Sequence, residues 1–198
     1  MANTYVYKVK DNLYINLTNR CTNMCSFCIK SSCKTAYGHD LWLSLEPSVK
    51  DVIEQAGDVS KYSEIVFCGY GEPTMRLNEL IDIGKYFKDL GKEVRLNTNG
   101  HGNVINGKNI VPLMRDSLTQ VSISLNAADS ATYSKICRPQ FEFDVYDKVL
   151  EFAKLCKPHF KTTLSVLDNL KSEDIEKCRS IVKELGVDFL VRQFIFEN

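Results

Sequence analysis

Short runs of this chain alternate apolar and polar residues with a period of two. Leu13, Ile15 and Leu17 stand against Tyr14, Asn16 and Thr18. Val94 and Leu96 oppose Arg95, Asn97 and Asn99, and Val121, Ile123 and Leu125 oppose Ser122, Ser124 and Asn126. Such alternation marks strands with one apolar face. Six strands are expected, at residues 13–18, 64–69, 93–99, 120–126, 162–168 and 188–194. Helical periodicity fills the intervals. Leu80, Ile83, Phe87 and Leu90 follow Asn78, the expected N-cap, and stop at Gly91; Ile175, Cys178, Ile181, Val182 and Leu185 run between Ser172, again an expected N-cap, and Gly186. Strand and helix in strict alternation predict a parallel sheet with right-handed crossovers.

Strand polarity refines the fold class. A strand covered by helices on both sides is apolar throughout. Ile65, Val66 and Phe67 come near that, but most of the others do not. If the apolar faces meet the helices, the polar faces share an interior. The expectation is an α/β fold, a partial, open (β/α)6 barrel of the TIM type, since six strands are too few to close the usual eight. An antiparallel sheet with one wet face is the plainer alternative, but hairpins would not need the helices. Tyr5, Tyr7 and Tyr14 are expected to pack a short N-terminal hairpin turning at residues 11–12.

The chain has 198 residues, enough for one domain spanning 1–198, with no C-terminal extension expected beyond the last strand. Lys and Arg number 25, as do Asp and Glu, so no global field recruits nucleic acid or an anionic membrane. No apolar run nears the roughly 18 residues of a membrane span. The N-terminus lacks the apolar centre of a signal peptide, which predicts a cytoplasmic protein. In a reducing compartment, clustered cysteines point to metal or redox chemistry.

Three of the eight cysteines crowd into the stretch CTNMCSFC, as Cys21, Cys25 and Cys28. A structural zinc takes four ligands, and Cys33 could complete that set. An electron-transfer [4Fe-4S] cluster also takes four. Three thiolates on such a cluster would leave one iron open to a small molecule. Spacing alone leaves these readings side by side.

The C-x3-C-x-aromatic-C spacing, with Phe27 in the aromatic position, resembles the motif of the radical S-adenosylmethionine (SAM) enzymes. Gly69-Tyr70-Gly71-Glu72-Pro73, after the second strand, resembles that superfamily's Gly-Gly-Glu-Pro element, with Tyr70 in place of its first glycine. Asn97-Thr98-Asn99-Gly100, after the third strand, is similar to its Thr-Asn-Gly turn. Nearly the whole chain resembles the short radical SAM proteins associated with TatD-family nucleases.

The resemblance implies a [4Fe-4S] cluster on Cys21, Cys25 and Cys28. It further implies SAM on the open iron, cleaved to methionine and a 5'-deoxyadenosyl radical that takes a substrate hydrogen, and a one-electron reductant such as flavodoxin or ferredoxin. Tyr70, Gly71 and Glu72 would meet the methionyl amine through backbone carbonyls, with Gly71 allowing close approach. Phe27 would lie by the adenine, Ser124 and Asn126 would point at the ribose, and Arg138 would meet the carboxylate. Asn97 and Asn99 would contact cofactor or substrate. Arg192 or Gln193 would close the pocket, alternation allowing only one of them inside. Blander roles stand beside these: Glu72-Pro73-Thr74 as a helix start, Asn99-Gly100 as a turn, Ser124 and Asn126 as satisfied interior groups, and Arg138 as a surface residue.

Among the other cysteines, Cys156 and Cys178 fall on helical patterns as packing residues, Cys68 borders the glycine motif and the pocket, and Cys137 has no assigned role. His39, His101 and His159 show no ligand spacing and are expected on the surface. An open arc must shield its chemistry from water. A macromolecular substrate or a partner would supply the missing wall, and the resemblance implies a link to a TatD-type nuclease. A small metabolite under Tyr14, Asn16 and Arg95 is the competing expectation.

Overall fold

The protein is represented by a computed structural model that describes residues 3–32 and 35–194. Cys33, and with it the four-cysteine alternative, lies outside the described residues.

Seven strands form one sheet in chain order: β1 (Val6–Val9), β2 (Asn12–Ile15), β3 (Glu64–Phe67), β4 (Glu93–Thr98), β5 (Gln120–Ser124), β6 (Lys161–Leu167) and β7 (Asp188–Arg192). The pair β1 and β2 is the antiparallel hairpin, and every later pairing is parallel. Its turn falls at Lys10 and Asp11, one residue earlier than expected, because Asn12 already pairs with Val9. Nothing among the described residues joins β7 back to β1, so the sheet is an open arc.

Helices fill the crossovers: α1 (Ile29–Ser32), α2 (Val49–Ala56), α3 (Leu77–Asp89), α4 (Gly102–Ile105), α5 (Ser130–Cys137), α6 (Tyr146–Cys156) and α7 (Ser172–Leu185). Ser48 and Asp51 start α2 with a reciprocal capping box. Neither expected serine or asparagine cap elsewhere forms. A 3-10 turn from Pro73 to Arg76 runs straight into α3, so Asn78 lies inside the first turn. Lys171, not Ser172, holds the cap position of α7. Gly186 ends α7 at φ 65, the left-handed conformation that only glycine adopts without penalty.

The apolar strand faces meet the helices as expected. Ile15, Phe67, Leu96, Ile123 and Val166 are fully buried against Leu80, Ile83 and Phe87 of α3, Val149 and Phe152 of α6, and Val182 of α7. Cys156 and Cys178 are buried packing residues in the same core. Each such aliphatic contributes about 1.5–3 kcal/mol by leaving water. The polar faces turn inward, and a small second cluster of Tyr7, Ala36, Leu41 and Tyr70 caps the β1–β2 end of that concave surface. No described helix is long and apolar enough to cross a membrane.

Candidate functional site

After β2 the chain leaves the sheet, and residues 16–28 cross the carboxyl ends of the neighbouring strands. Backbone contacts hold this cysteine-bearing segment from two sides. On one side Gly71 presses against it: a Cβ there would stand 2.4 Å from the carbonyl oxygens of both Thr18 and Arg20. The Glu72 N–H donates to the Arg20 carbonyl at 2.8 Å. Close approach is thus required at Gly71 by the chain's own backbone, a need separate from the ligand approach expected of it. On the other side, the end of α5 accepts hydrogen bonds from Ser26 N–H to Ile136 O at 2.9 Å and from Met24 N–H to Cys137 O at 3.0 Å. Arg138 follows in the left-handed conformation, exposed, and lines an outer groove with Met24, Phe141 and Phe143.

Beneath the segment lies a buried polar chain. The Glu72 carboxylate, 2 % exposed, accepts from Thr74 Oγ1 at 2.7 Å, Thr98 Oγ1 at 2.8 Å and the Asn99 N–H at 2.7 Å. Burial pushes its pKa up, and those donors oppose the shift. The same residue caps the 3-10 turn, with Pro73 in its first position, so the blander reading of Glu-Pro as a helix start holds as well. The Asn99 side chain donates to Thr22 Oγ1 at 3.0 Å, approaches the Cys21 sulfur at 3.8 Å, and accepts the His101 N–H at 2.9 Å. Its amide nitrogen is committed to the cysteine segment and its oxygen to His101.

His101 is fully buried, contrary to the surface position expected for it. Its Nδ1 lies 2.9 Å from Thr22 Oγ1 and its Nε2 lies 2.9 Å from the Tyr133 hydroxyl. Burial lowers its pKa to about 4, so the ring is neutral and bridges two hydroxyls. The Asn23 side chain donates to the Tyr133 hydroxyl at 3.4 Å and completes the link between α5 and the cysteine segment. His101 and Tyr133 left no local signature in the sequence, because they act across 79 and 110 residues of chain.

Burial raises the thiol pKa at Cys21, to about 11, and at Cys28. Cys25 is raised first by a hydrogen bond with Cys137 and then by burial. Cys137, fully buried, also accepts from Asn126 Nδ2 at 3.5 Å. Asn126 stands at φ 61, a left-handed position that asparagine tolerates, and its buried Oδ1 has no partner. Among the described residues no three His, Cys, Asp or Glu side chains converge on one ion. A cubane cluster instead spreads its thiolates over separate irons. Three thiols on one short loop, with an orphaned buried acceptor opposite, fit such a cluster and a polar ligand beside it. Phe27 is partly buried against the main core, and Tyr70 lies in the small aromatic cluster.

The concave face carries the other expected residues. Arg95 is neutralised by Glu64, with Nε to Oε1 at 3.0 Å and Nη2 to Oε2 at 2.8 Å, and donates through Nη1 to Asn97 Oδ1 at 2.8 Å. Asn97 also hydrogen-bonds the Cys68 thiol. Of the Arg192 and Gln193 pair, Arg192 is the inward one: its Nε reaches Ser165 Oγ at 3.1 Å and its Nη2 reaches Ser124 Oγ at 3.4 Å, while Gln193 is exposed. Asn16 does not face this space freely, since its amide donates to the Leu41 carbonyl at 2.7 Å.

Comparison with known proteins places these features in a family. The model of the radical SAM superfamily matches residues 15–185. A putative glycyl-radical enzyme activating enzyme of Methanocaldococcus jannaschii is 28% identical over 171 residues, covering 81% of this chain and 68% of that protein. Among solved structures, TYW1 with a lysine-pyruvate adduct bound is similar with a TM-score of 0.66 at 15% identity, over 94% of this chain and 65% of that one. Archaeal TYW1 gives 0.56 at 14%, over 89% and 62%. The chain therefore spans less than two thirds of either structure, and at these identities they show the shared fold.

Proposed function

Because the chain belongs to the radical SAM superfamily, we propose that this enzyme holds a [4Fe-4S] cluster on Cys21, Cys25 and Cys28 and SAM on the iron those thiolates leave open. When bound, the two cofactors supply one-electron cleavage of the SAM sulfonium and removal of a hydrogen atom from a substrate carbon.

The chain's own part is to hold, orient and exclude water. Gly71 and Glu72 fix one side of the cysteine segment through its backbone, the end of α5 fixes the other, and Asn99, His101 and Tyr133 brace it from beneath through Thr22 and Asn23. The Tyr70, Gly71 and Glu72 carbonyls serve the methionyl amine, while the Glu72 carboxylate is spent inside the protein. Asn126 Oδ1 and Ser124 offer acceptors to the ribose, Phe27 a ring to the adenine, and Arg138 a cation at the rim. The thiols are protonated while free of metal, so loading the cluster must release protons. Flavodoxin or ferredoxin is the class of reductant. The substrate approaches the open edge at β7, where Leu190 is exposed, and a macromolecule presenting the reacting group would complete the wall there. A link to a TatD-type nuclease rests on the sequence resemblance alone.

One observation carries this reading. The motifs at residues 69–73 and 97–100 are joined by the Glu72 to Asn99 hydrogen bond, and both hold the segment that carries the third, Gly71 at Thr18 and Arg20 and Asn99 at Cys21 and Thr22. Anaerobic reconstitution of wild type and of Cys21→Ala, Cys25→Ala and Cys28→Ala, read by iron content and visible absorption, tests it. Each variant is expected to lose the cluster; full iron in any of them would remove that cysteine from the ligand set.

A further inference from the structure

Two guanidinium groups face the concave surface, and only one has a counter-ion. Arg95 forms its two-pronged pair with Glu64. Arg192 has no carboxylate within ion-pair distance among the described residues; its acceptors are the hydroxyls of Ser165 and Ser124. Of the five N–H donors of an arginine, these use two. Burial pushes its pKa below the usual arginine value, and only Cys68 and Tyr37 oppose that shift. A half-buried cation with neutral partners is costly to maintain.

Tyr37 sits on a reverse turn between Ala36 and His39, itself at φ 54, with its ring against Tyr7 and Tyr14 and within electrostatic range of Arg192. Cys68, just past the end of β3, closes the floor beside Asn97. Ser124, Ser165 and Leu190 share one register row across β5, β6 and β7, with Leu190 exposed at the edge. The fixed fork of a guanidinium matches a carboxylate in two parallel hydrogen bonds. One uncompensated positive charge balances one carboxylate, whereas a phosphate would bring a second negative charge that nothing here offsets.

We propose that Arg192, with Ser124 and Ser165 beside it, is the recognition site for a carboxylate on the substrate. This rests on the reading of the concave face as the reaction chamber. The methionyl end of SAM also carries a carboxylate, and Ser124, which the ribose would share, stands 3.4 Å from Arg192, so the experiment includes an arm that separates the two sources.

The experiment uses Cys68 as a reporter, since it lies within the electrostatic reach of Arg192. Iodoacetate and iodoacetamide both alkylate a thiolate by displacement of iodide, and differ in that the first carries a carboxylate. Their rates at Cys68 are measured by peptide mass spectrometry on anaerobic protein, cluster-loaded and cluster-free, and the ratio is normalised to that of glutathione. Wild type is expected to favour iodoacetate by roughly tenfold. Arg192→Gln should lose the preference and Arg192→Lys keep part of it. Equal ratios in wild type and Arg192→Gln would overturn the proposal. Added SAM separates the two carboxylate sources: a preference that survives saturation belongs to the substrate, and one abolished at unchanged iodoacetamide rate assigns Arg192 to the cofactor and overturns the substrate reading. If neither reagent reaches Cys68, thermal melting in acetate against chloride at equal ionic strength decides, with a rise in wild type alone supporting the site and no difference from Arg192→Gln refuting it. Because the preference is also read without the cluster, failure of cluster assembly and failure of the carboxylate site remain distinguishable.

Discussion

A single methyl group at Gly71 should unseat the cysteine segment. Its Cβ would lie 2.4 Å from the Thr18 and Arg20 carbonyl oxygens and 2.9 Å from the Arg20 nitrogen. Carbon rests no nearer than about 3.3 Å to a carbonyl oxygen, so the carbonyl overlaps are each about 0.9 Å. All three neighbours are backbone atoms, and the Arg20 carbonyl is tied to the Glu72 N–H, so no side-chain rotation relieves them. Gly71 does not sit at positive φ, and the penalty is therefore steric, not conformational. Overpacking of this kind costs about 1–3 kcal/mol, and two simultaneous backbone clashes place Gly71→Ala near the upper end. In a domain of this size that lowers Tm by roughly 6–12 °C. Gly107→Ala is the control, at φ 62 with nothing within 4 Å of its Cβ, and should cost about 1 kcal/mol and keep its iron. Thermal melting of the metal-free proteins, followed by iron analysis after anaerobic reconstitution, reads both effects. Wild-type Tm and wild-type iron in Gly71→Ala would refute the reasoning.

Two further outcomes follow from the buried network and the extra thiols. His101 takes up its proton at about 4 in the folded protein against 6.5 when unfolded, so its contribution is complete above pH 6.5 and is lost as pH falls toward 4. That loss amounts to about 3 kcal/mol; His101→Gln should show a flatter acid limb in urea denaturation, and an unchanged limb would mean that other groups carry it. Cys33→Ala and Cys137→Ala should each retain iron and visible absorption, whereas loss of iron in either variant would make it a fourth ligand and close the site proposed for SAM.

Much of this architecture was legible along the chain because its signals are local. Period-two alternation identified the faces of β2, β4 and β5, and the contacts of Arg192 on β7 with Ser165 on β6 and Ser124 on β5 put the polar residues of three strands on one face. The cysteine, glycine and asparagine motifs were visible because each sits in one short turn after a strand. What escaped was long-range. His101 reads as a lone turn histidine until the fold brings Thr22 and Tyr133 to its two nitrogens. Cys137 reads as scatter until the end of α5 places it on Cys25. The Asn78 and Ser172 caps failed because a preceding 3-10 turn and an extended Lys171 supplied those helix starts instead. Gly71 was singled out for close approach, and the fold adds the Thr18 and Arg20 backbone as a neighbour that no local pattern reveals.

The central claim is that the cysteine segment and the concave face together cleave SAM. Anaerobically reconstituted wild type, reduced with dithionite in the presence of SAM, is analysed by chromatography for 5'-deoxyadenosine beside Cys25→Ala treated identically. The account predicts 5'-deoxyadenosine and methionine from wild type and none above blank from the variant. A wild-type protein that holds its full iron yet releases no 5'-deoxyadenosine, or a Cys25→Ala protein that releases as much, would contradict it.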